Sequence, residues 1–209
     1  MKLNSDIISS FIKSDKFKES TDLCNLLLKY ESDKCKLTTK YNGWHNYSSL
    51  YYFLFQDLEN SNINFFEMGI FFGSSVRAFR DFFKNGIIYA GDYDVTTFLM
   101  DEGVNCNYCD QDNPESIKQL FDLLDVNFDI IIDDGKHEFV SNLNMLNNSI
   151  HKLKEGGIYI IEDLRFDVVD KFKNVLQTLK DDHNLSYVEI FLIDNESNNI
   201  DNNILIIQK

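Results

Sequence analysis

Apolar and polar positions change rhythm near residue 60. Before it, residues 7–17 (IISSFIKSDKF) and 20–32 (STDLCNLLLKYES) carry apolar side chains at helical spacing. A polar stretch, DKCKLTTKYNGWHNYS, leads to a third apolar-periodic helix around residues 48–58. Beyond it, short apolar runs alternate with amphipathic segments. Strands are predicted at 63–68 (INFFEM), 86–92 (GIIYAGD), 103–108 (GVNCNY), 128–134 (FDIIIDD) and 156–163 (GGIYIIED). Helices are predicted between them at 74–84, 114–124 and 138–153, with another near 166–180. Pro114 and Glu115 form a favourable helix start, because the first turn has no use for the missing N–H. Two final runs, LSYVEIFLI and NNILIIQ, flank the polar turn DNESNNID and predict an antiparallel hairpin.

This order predicts an α/β fold. It is a Rossmann-like, seven-stranded, mostly parallel sheet with a C-terminal antiparallel hairpin, helices on both faces and an N-terminal helical extension. No repeat or linker divides the chain, so residues 1–209 are expected to form a single domain. Residues 1–60 would be the helical extension and lid, and 61–209 the core.

Composition narrows the partners. Among 209 residues, 34 are Asp or Glu and 20 Lys or Arg, a net charge of −14. Long-range repulsion therefore argues against nucleic acid and anionic lipid as partners. No run of 18 apolar residues would span a membrane, and the first residues do not read as a secretory leader. The four cysteines are expected to be reduced thiols of a cytoplasmic protein. Cys106-x-x-Cys109 has no second ligand pair and reads as small residues in and after a strand. His151 and His183 are assigned to structure.

Ligands of parallel sheets bind beyond the carboxyl ends of the strands. The polar clusters at those ends are 67–73, 92–94, 110–112, 133–137 and 162–163. In the first, Gly69 and Gly73 allow close backbone approach and Ser74 opens a helix with unpaired N–H groups. The spacing is not that of a dinucleotide fingerprint, which makes a nicotinamide oxidoreductase a poor reading. Asp92, nineteen residues after Gly73, could accept hydrogen bonds from both hydroxyls of a ribose. Asp94 would point the same way, so either is a candidate.

Glu67-x-Gly69-x-x-x-Gly73, a strand-two acid and a seventh strand in a terminal hairpin resemble the class I S-adenosylmethionine-dependent methyltransferases over roughly residues 60–209. The resemblance implies that Glu67, Gly69, Gly73 and Ser74 line the methionine side of the cofactor and Asp92 its ribose. It places Asp110 and Gln111 near the adenine and adds Asp134 to the cofactor-binding residues.

Asp133-Asp134-Gly135-Lys136-His137, then Leu153-Lys-Glu-Gly156-Gly157, then Glu162-Asp163 resemble the metal-dependent sugar O-methyltransferases of macrolide biosynthesis and their cephalosporin-hydroxylase-like relatives. Lys136 stands where Ser is usual. The segment Tyr30-Glu-Ser-Asp33-Lys34 also resembles theirs, with Glu31 in place of the usual Gly. His45, in Trp44-His45-Asn46-Tyr47, is either part of a lid over the cofactor or a packing residue.

The chemistry stands on the residues as well. Methyl transfer from a sulfonium requires an aligned oxygen that loses its proton. A positioned histidine is a suitable general base for it, and His137 is the candidate. Asp134, Glu162 and Asp163 are hard oxygen ligands suited to Mg²⁺. Asp133 would be turned away from Asp134 by strand alternation. The expected enzyme is thus a Mg²⁺-assisted O-methyltransferase with a sugar-like small-molecule acceptor, of which a surface-polysaccharide building block is one example. Transfer to a phosphate-type oxygen or an amine, or a non-catalytic cofactor-binding subunit, are the alternatives. A homo-oligomer is left open by the amphipathic N-terminal helices.

Overall fold

In the computed structural model, which describes residues 2–41, 43–100 and 102–209, seven strands form one sheet in the order β3-β2-β1-β4-β5-β7-β6. The strands are β1 (Asn64–Met68), β2 (Ile87–Asp92), β3 (Val104–Tyr108), β4 (Phe128–Asp133), β5 (Leu153–Ile161), β6 (Tyr187–Leu192) and β7 (Asn203–Gln208). The pairs β1–β2, β1–β4, β2–β3 and β4–β5 are parallel; β7 runs antiparallel to both β5 and β6. The chain order reverses between β1 and β4, the switch point at which such sheets open a crevice.

Period-two alternation divides the interior between two cores. Phe65, Ile130, Ile132, Ile158 and Ile160 face one side, where α1 (Ser5–Ile12), α2 (Asp22–Lys29), α3 (Ser48–Phe55) and α4 (Ser74–Phe82) cover them. Phe66, Ile131, Tyr159 and Ile161 face the other, under α5 (Pro114–Leu123), α6 (Phe139–Ser149), α7 (Phe166–Lys173) and α8 (Leu176–Asp182). The strands are therefore apolar at consecutive positions because both faces are buried.

Local chemistry sets the helix ends. Asn4, Thr21 and Asn113 accept first-turn N–H bonds in α1, α2 and α5, and Pro114 occupies the first turn of α5. Most helices are a few residues shorter than in the sequence reading, α6 ending at Ser149 and α3 at Phe55, and two differences go further. The helix expected near 166–180 is two helices, broken around Asn174 and Val175. β5 starts three residues before the glycine pair, since Leu153 already pairs with Phe128, and Gly156 at φ +76° accompanies the register shift that follows. Among the described residues no helix is long and apolar enough to cross a membrane, and the four cysteines are free.

Candidate active site

Backbone hydrogen bonds continue one step past the strand ends and bring their loops together. Gly69 N donates to Gly91 O at 2.8 Å, Asp134 N to Met68 O at 3.0 Å and Glu162 N to Asp133 O at 3.0 Å. Gly69 itself has φ +94°, and a Cβ there would lie 2.1 Å from the carbonyl oxygen of Asp134. Only glycine permits this approach, so the first loop can touch the fourth. Gly73, at φ +71°, caps α4, whose first residue is Ser74.

Asp92 serves this glycine turn. Its Oδ2 accepts from Ile70 N at 2.8 Å and Phe71 N at 3.3 Å, and Oδ1 accepts from Asp94 N at 2.9 Å. Asp94 instead caps the short turn at Val95–Thr97 through Thr96. Of the two candidate acids, Asp92 is therefore the one beside the glycine turn.

The third and fourth loops are tied by Gln111. Its Nε2 donates to Asp133 Oδ1 at 2.6 Å and its Oε1 accepts from Lys136 N at 2.8 Å. Asp133 also receives Asn142 Nδ2 at 2.9 Å. Alternation thus turns Asp133 into the α6 side of the sheet, away from Asp134. Burial pushes its carboxyl up to about 6. Asp110 accepts from Asp112 N at 3.0 Å. Lys136, in the position usual for Ser, reaches Asp112 at the surface.

The carboxylates expected as ligands meet the imidazole of His137. Its Nε2 lies 4.0 Å from Asp134 Oδ1 and 3.9 Å from Asp163 Oδ2. Candidate ligand atoms of Asp134, His137 and Asp163 all fall within 4.8 Å of one another. His137 and Asp163 both have left-handed backbones, at φ +57° and +55°, and Phe71 on the glycine turn has φ +47°. Such strain in non-glycine residues collects where a fold imposes a particular side-chain direction.

One residue of the polar stretch escapes the sequence reading, and a second gains a definite place. Lys34 enters the middle of the cluster, 2.7 Å from Glu162 Oε2 and 3.6 Å from Glu67 Oε1. His45, read as either a lid or a packing residue, is buried, with Nδ1 3.3 Å from Asp163 Oδ1 and its ring stacked on Tyr47. Tyr47 Oη donates to the same Oδ1 at 2.9 Å. The N-terminal helices therefore supply part of the site. The signal for this was the Tyr30–Lys34 resemblance, which gave Lys34 no role.

Negative charge exceeds positive here. Burial raises Glu67 to about 7, with Lys34 opposing. Burial also raises Glu162 and Asp163, to which neighbouring carboxylates add. Glu162 Oε1 and both Glu67 oxygens are buried without a hydrogen-bond partner among the described residues. Orphaned hard oxygens beside like charges suit a divalent cation of the Mg²⁺ type, which takes one or two carboxylates and retains water. Among the described residues the groupings close enough to hold it are Asp134 with His137 and Asp163, and Glu67 with Asp134 and Glu162; the expected ligands Asp134, Glu162 and Asp163 are divided between the two, with Asp134 common to both.

Comparisons agree with this architecture. The structure of MycE methyltransferase from the mycinamycin pathway, solved with Mg and SAH, superposes with a TM-score of 0.72 at 19% identity, covering 91% of this chain and 55% of that one. The fold is that of the class I methyltransferases. A putative caffeoyl-CoA O-methyltransferase from Staphylococcus aureus also matches this methyltransferase fold, with a TM-score of 0.54 at 16% identity over 77% of this chain and 81% of that one. No family model matches.

Among curated proteins, the chain is 27% identical over 150 residues to 8-demethyl-8-alpha-L-rhamnosyl tetracenomycin-C 2'-O-methyltransferase of Streptomyces olivaceus, covering 68% of this chain and 38% of that protein. It is 28% identical over 135 residues to demethylmacrocin O-methyltransferase of Streptomyces fradiae, covering 61% and 34%. Both relatives are O-methyltransferases, the first of a rhamnosyl tetracenomycin, and the chain spans little more than a third of their length.

Proposed function

We propose that the chain is an S-adenosylmethionine-dependent, Mg²⁺-assisted O-methyltransferase acting on a hydroxyl of a sugar or glycosylated small molecule. The observation that carries the reading is the convergence of Asp134, His137 and Asp163 within 4.8 Å, beside an acid–glycine turn, in a methyltransferase fold. The relatives' acceptors, a rhamnosyl tetracenomycin and demethylmacrocin, support a glycosylated acceptor class.

In this reading Glu67, Gly69, Gly73, Ser74 and Asp92 bind the cofactor, with Asp110 and Gln111 on its adenine side. Asp134 closes the cofactor pocket and, with Glu162 and Asp163, holds the cation. When bound, the cofactor supplies an electrophilic methyl group and the cation orients and acidifies the acceptor hydroxyl.

His137 takes the hydroxyl proton at Nε2, the nitrogen facing the Asp134 and Asp163 oxygens. Those carboxylates stabilise the imidazolium that results, and a positioned general base typically contributes about 10²–10⁴-fold. His45 and Tyr47 orient Asp163 from beneath; His45 serves the cation side of the site more directly than a lid.

We read residues 1–209 as one such unit. Its partners are small molecules, with nucleic acid and membrane disfavoured by the net charge of −14, and its setting is the cytoplasm. The test is transfer of labelled methyl to a panel of glycosylated acceptors, with Mg²⁺ or with EDTA. Product that needs Mg²⁺ is expected. Product unaffected by EDTA would remove the cation, and labelling confined to amines would replace the acceptor class.

A further inference from the structure

Lys34 is only 1% exposed, an exceptional position for an ammonium group. Its Nζ has three protons and three carboxylate neighbours: Asp134 Oδ2 at 2.5 Å, Glu162 Oε2 at 2.7 Å and Glu67 Oε1 at 3.6 Å. The loop that delivers it is tied down. Ser48 N donates to Lys34 O at 3.1 Å and His45 N to Asp33 O at 3.1 Å, while Lys34 N donates to Ser32 Oγ at 3.3 Å.

Asp134 and Glu162 each give one oxygen to this ammonium and keep the other. The kept oxygen of Asp134, Oδ1, faces His137; that of Glu162, Oε1, is buried without a hydrogen-bond partner. Asp163 follows the same pattern, with Oδ1 held by Tyr47 and Oδ2 facing His137. The carboxylates of Glu67, Asp134 and Glu162 also lie close enough together to hold an ion, but the ammonium already fills that nest.

We infer that Lys34 is a positioning residue of the cation site: its ammonium anchors one oxygen of Asp134 and one of Glu162, so that the opposite oxygen of Asp134 is turned to the side of His137 and Asp163, where a divalent cation would be held, and that of Glu162 is left unpartnered. The inference rests on the metal-assisted reading of the site. It gives Lys34 a purpose beyond neutralising buried charge, and the two purposes predict effects of opposite sign. Removing a positive charge from beside the cation would by itself tighten metal binding. Removing the anchor of two ligands would weaken it, and groups that orient metal ligands are typically worth about 10–100-fold in metal affinity.

Mn²⁺ is the probe, its free concentration read by electron paramagnetic resonance during titration of the full chain. Lys34→Met is expected to weaken Mn²⁺ binding about 10–100-fold relative to wild type. At pH 8, above the value of about 7 at which Glu67 titrates, the double variant Lys34→Met/Glu67→Gln removes one buried positive and one buried negative charge together. It leaves the cluster's net charge unchanged and keeps the test open should the single variant fail to fold through its unpaired carboxylates. It is expected to lose affinity over the same range, since Asp134 and Glu162 are still unanchored. Circular dichroism and melting confirm that each variant scored is folded. Unchanged or tighter Mn²⁺ binding in a folded variant would overturn the inference while leaving the metal site in place. Wild-type protein that binds no Mn²⁺ would remove the metal site, and this role of Lys34 with it.

Discussion

Tyr47 Oη lies 2.9 Å from Asp163 Oδ1, a hydrogen bond across 116 residues of sequence that joins the N-terminal helices to the end of β5. Burial and the adjacent carboxylates Asp163 and Glu162 hold the Tyr47 phenol well above its ordinary pKa, so it stays a donor throughout the working range of pH. Asp163 is thereby fixed with its other oxygen toward His137. Tyr47→Phe keeps the packing and removes the donor. It is expected to cost about 1–2 kcal/mol of stability and to weaken Mg²⁺ binding by roughly 10-fold. A melt and a metal titration check the two effects separately, and unaltered metal affinity would leave Tyr47 a packing residue.

His137→Ala tests the assigned base. Turnover should fall by about 10²–10⁴-fold while S-adenosylhomocysteine affinity stays near wild type, because the imidazole faces carboxylates and not the glycine turn. Near-normal single-turnover methyl transfer would take His137 out of the mechanism.

Glu31 sits just past the end of α2 at φ +56°, the left-handed conformation that favours glycine. Its exposed ion pair with Lys40, at 3.4 Å, contributes little. Glu31→Gly is therefore expected to raise stability by about 0.5–1 kcal/mol, the strain relieved exceeding the flexibility added to the unfolded chain. Chemical denaturation reads it directly; a loss of stability would mean that the Glu31 side chain matters more than its backbone.

Stability should also depend on pH in a specific window. Glu67 is raised from 4.5 to about 7 and Asp133 from 3.8 to about 6, both chiefly by burial. The folded state then holds more protons than the unfolded one between about pH 4 and 7. Stability accordingly falls as pH rises through that window and levels off above it. Glu67→Gln should flatten much of the slope, which is of order 3 kcal/mol for this residue. A metal-free protein equally stable at pH 5 and pH 8 would contradict the assignment.

How much of this was legible beforehand follows from the physics of each signal. Strand runs such as 128–134 announce themselves because both faces are buried, and the polar residues at their ends stand out by contrast. Alternation correctly separated Asp133, which turns to Gln111 and Asn142, from Asp134. The break of the 166–180 segment into α7 and α8 was not legible, since no proline or glycine marks it. Lys34 and His45 were harder. They lie in a polar stretch, in which His45 could be read only as a lid or packing residue, and their burial depends on carboxylates 100 or more residues away, which no local periodicity reports.

Gly69→Ala tests the close approach of two loops on which the site depends. A methyl there would lie 2.1 Å from the Asp134 carbonyl oxygen, in a backbone conformation that alanine disfavours. The expected result is a loss of several kcal/mol of stability or, where the loops part instead, loss of cofactor binding. Wild-type stability and wild-type binding together would contradict it.

The central claim is that the strand ends hold a sulfonium cofactor beside a divalent cation. Calorimetric titration of S-adenosylhomocysteine into metal-free protein, repeated with Mg²⁺ and with Asp92→Asn, tests it most directly. Binding in the wild type, weakened by Asp92→Asn, is the predicted result. Absence of binding both with and without Mg²⁺ would contradict the account and leave the acids at the strand ends to some other ligand.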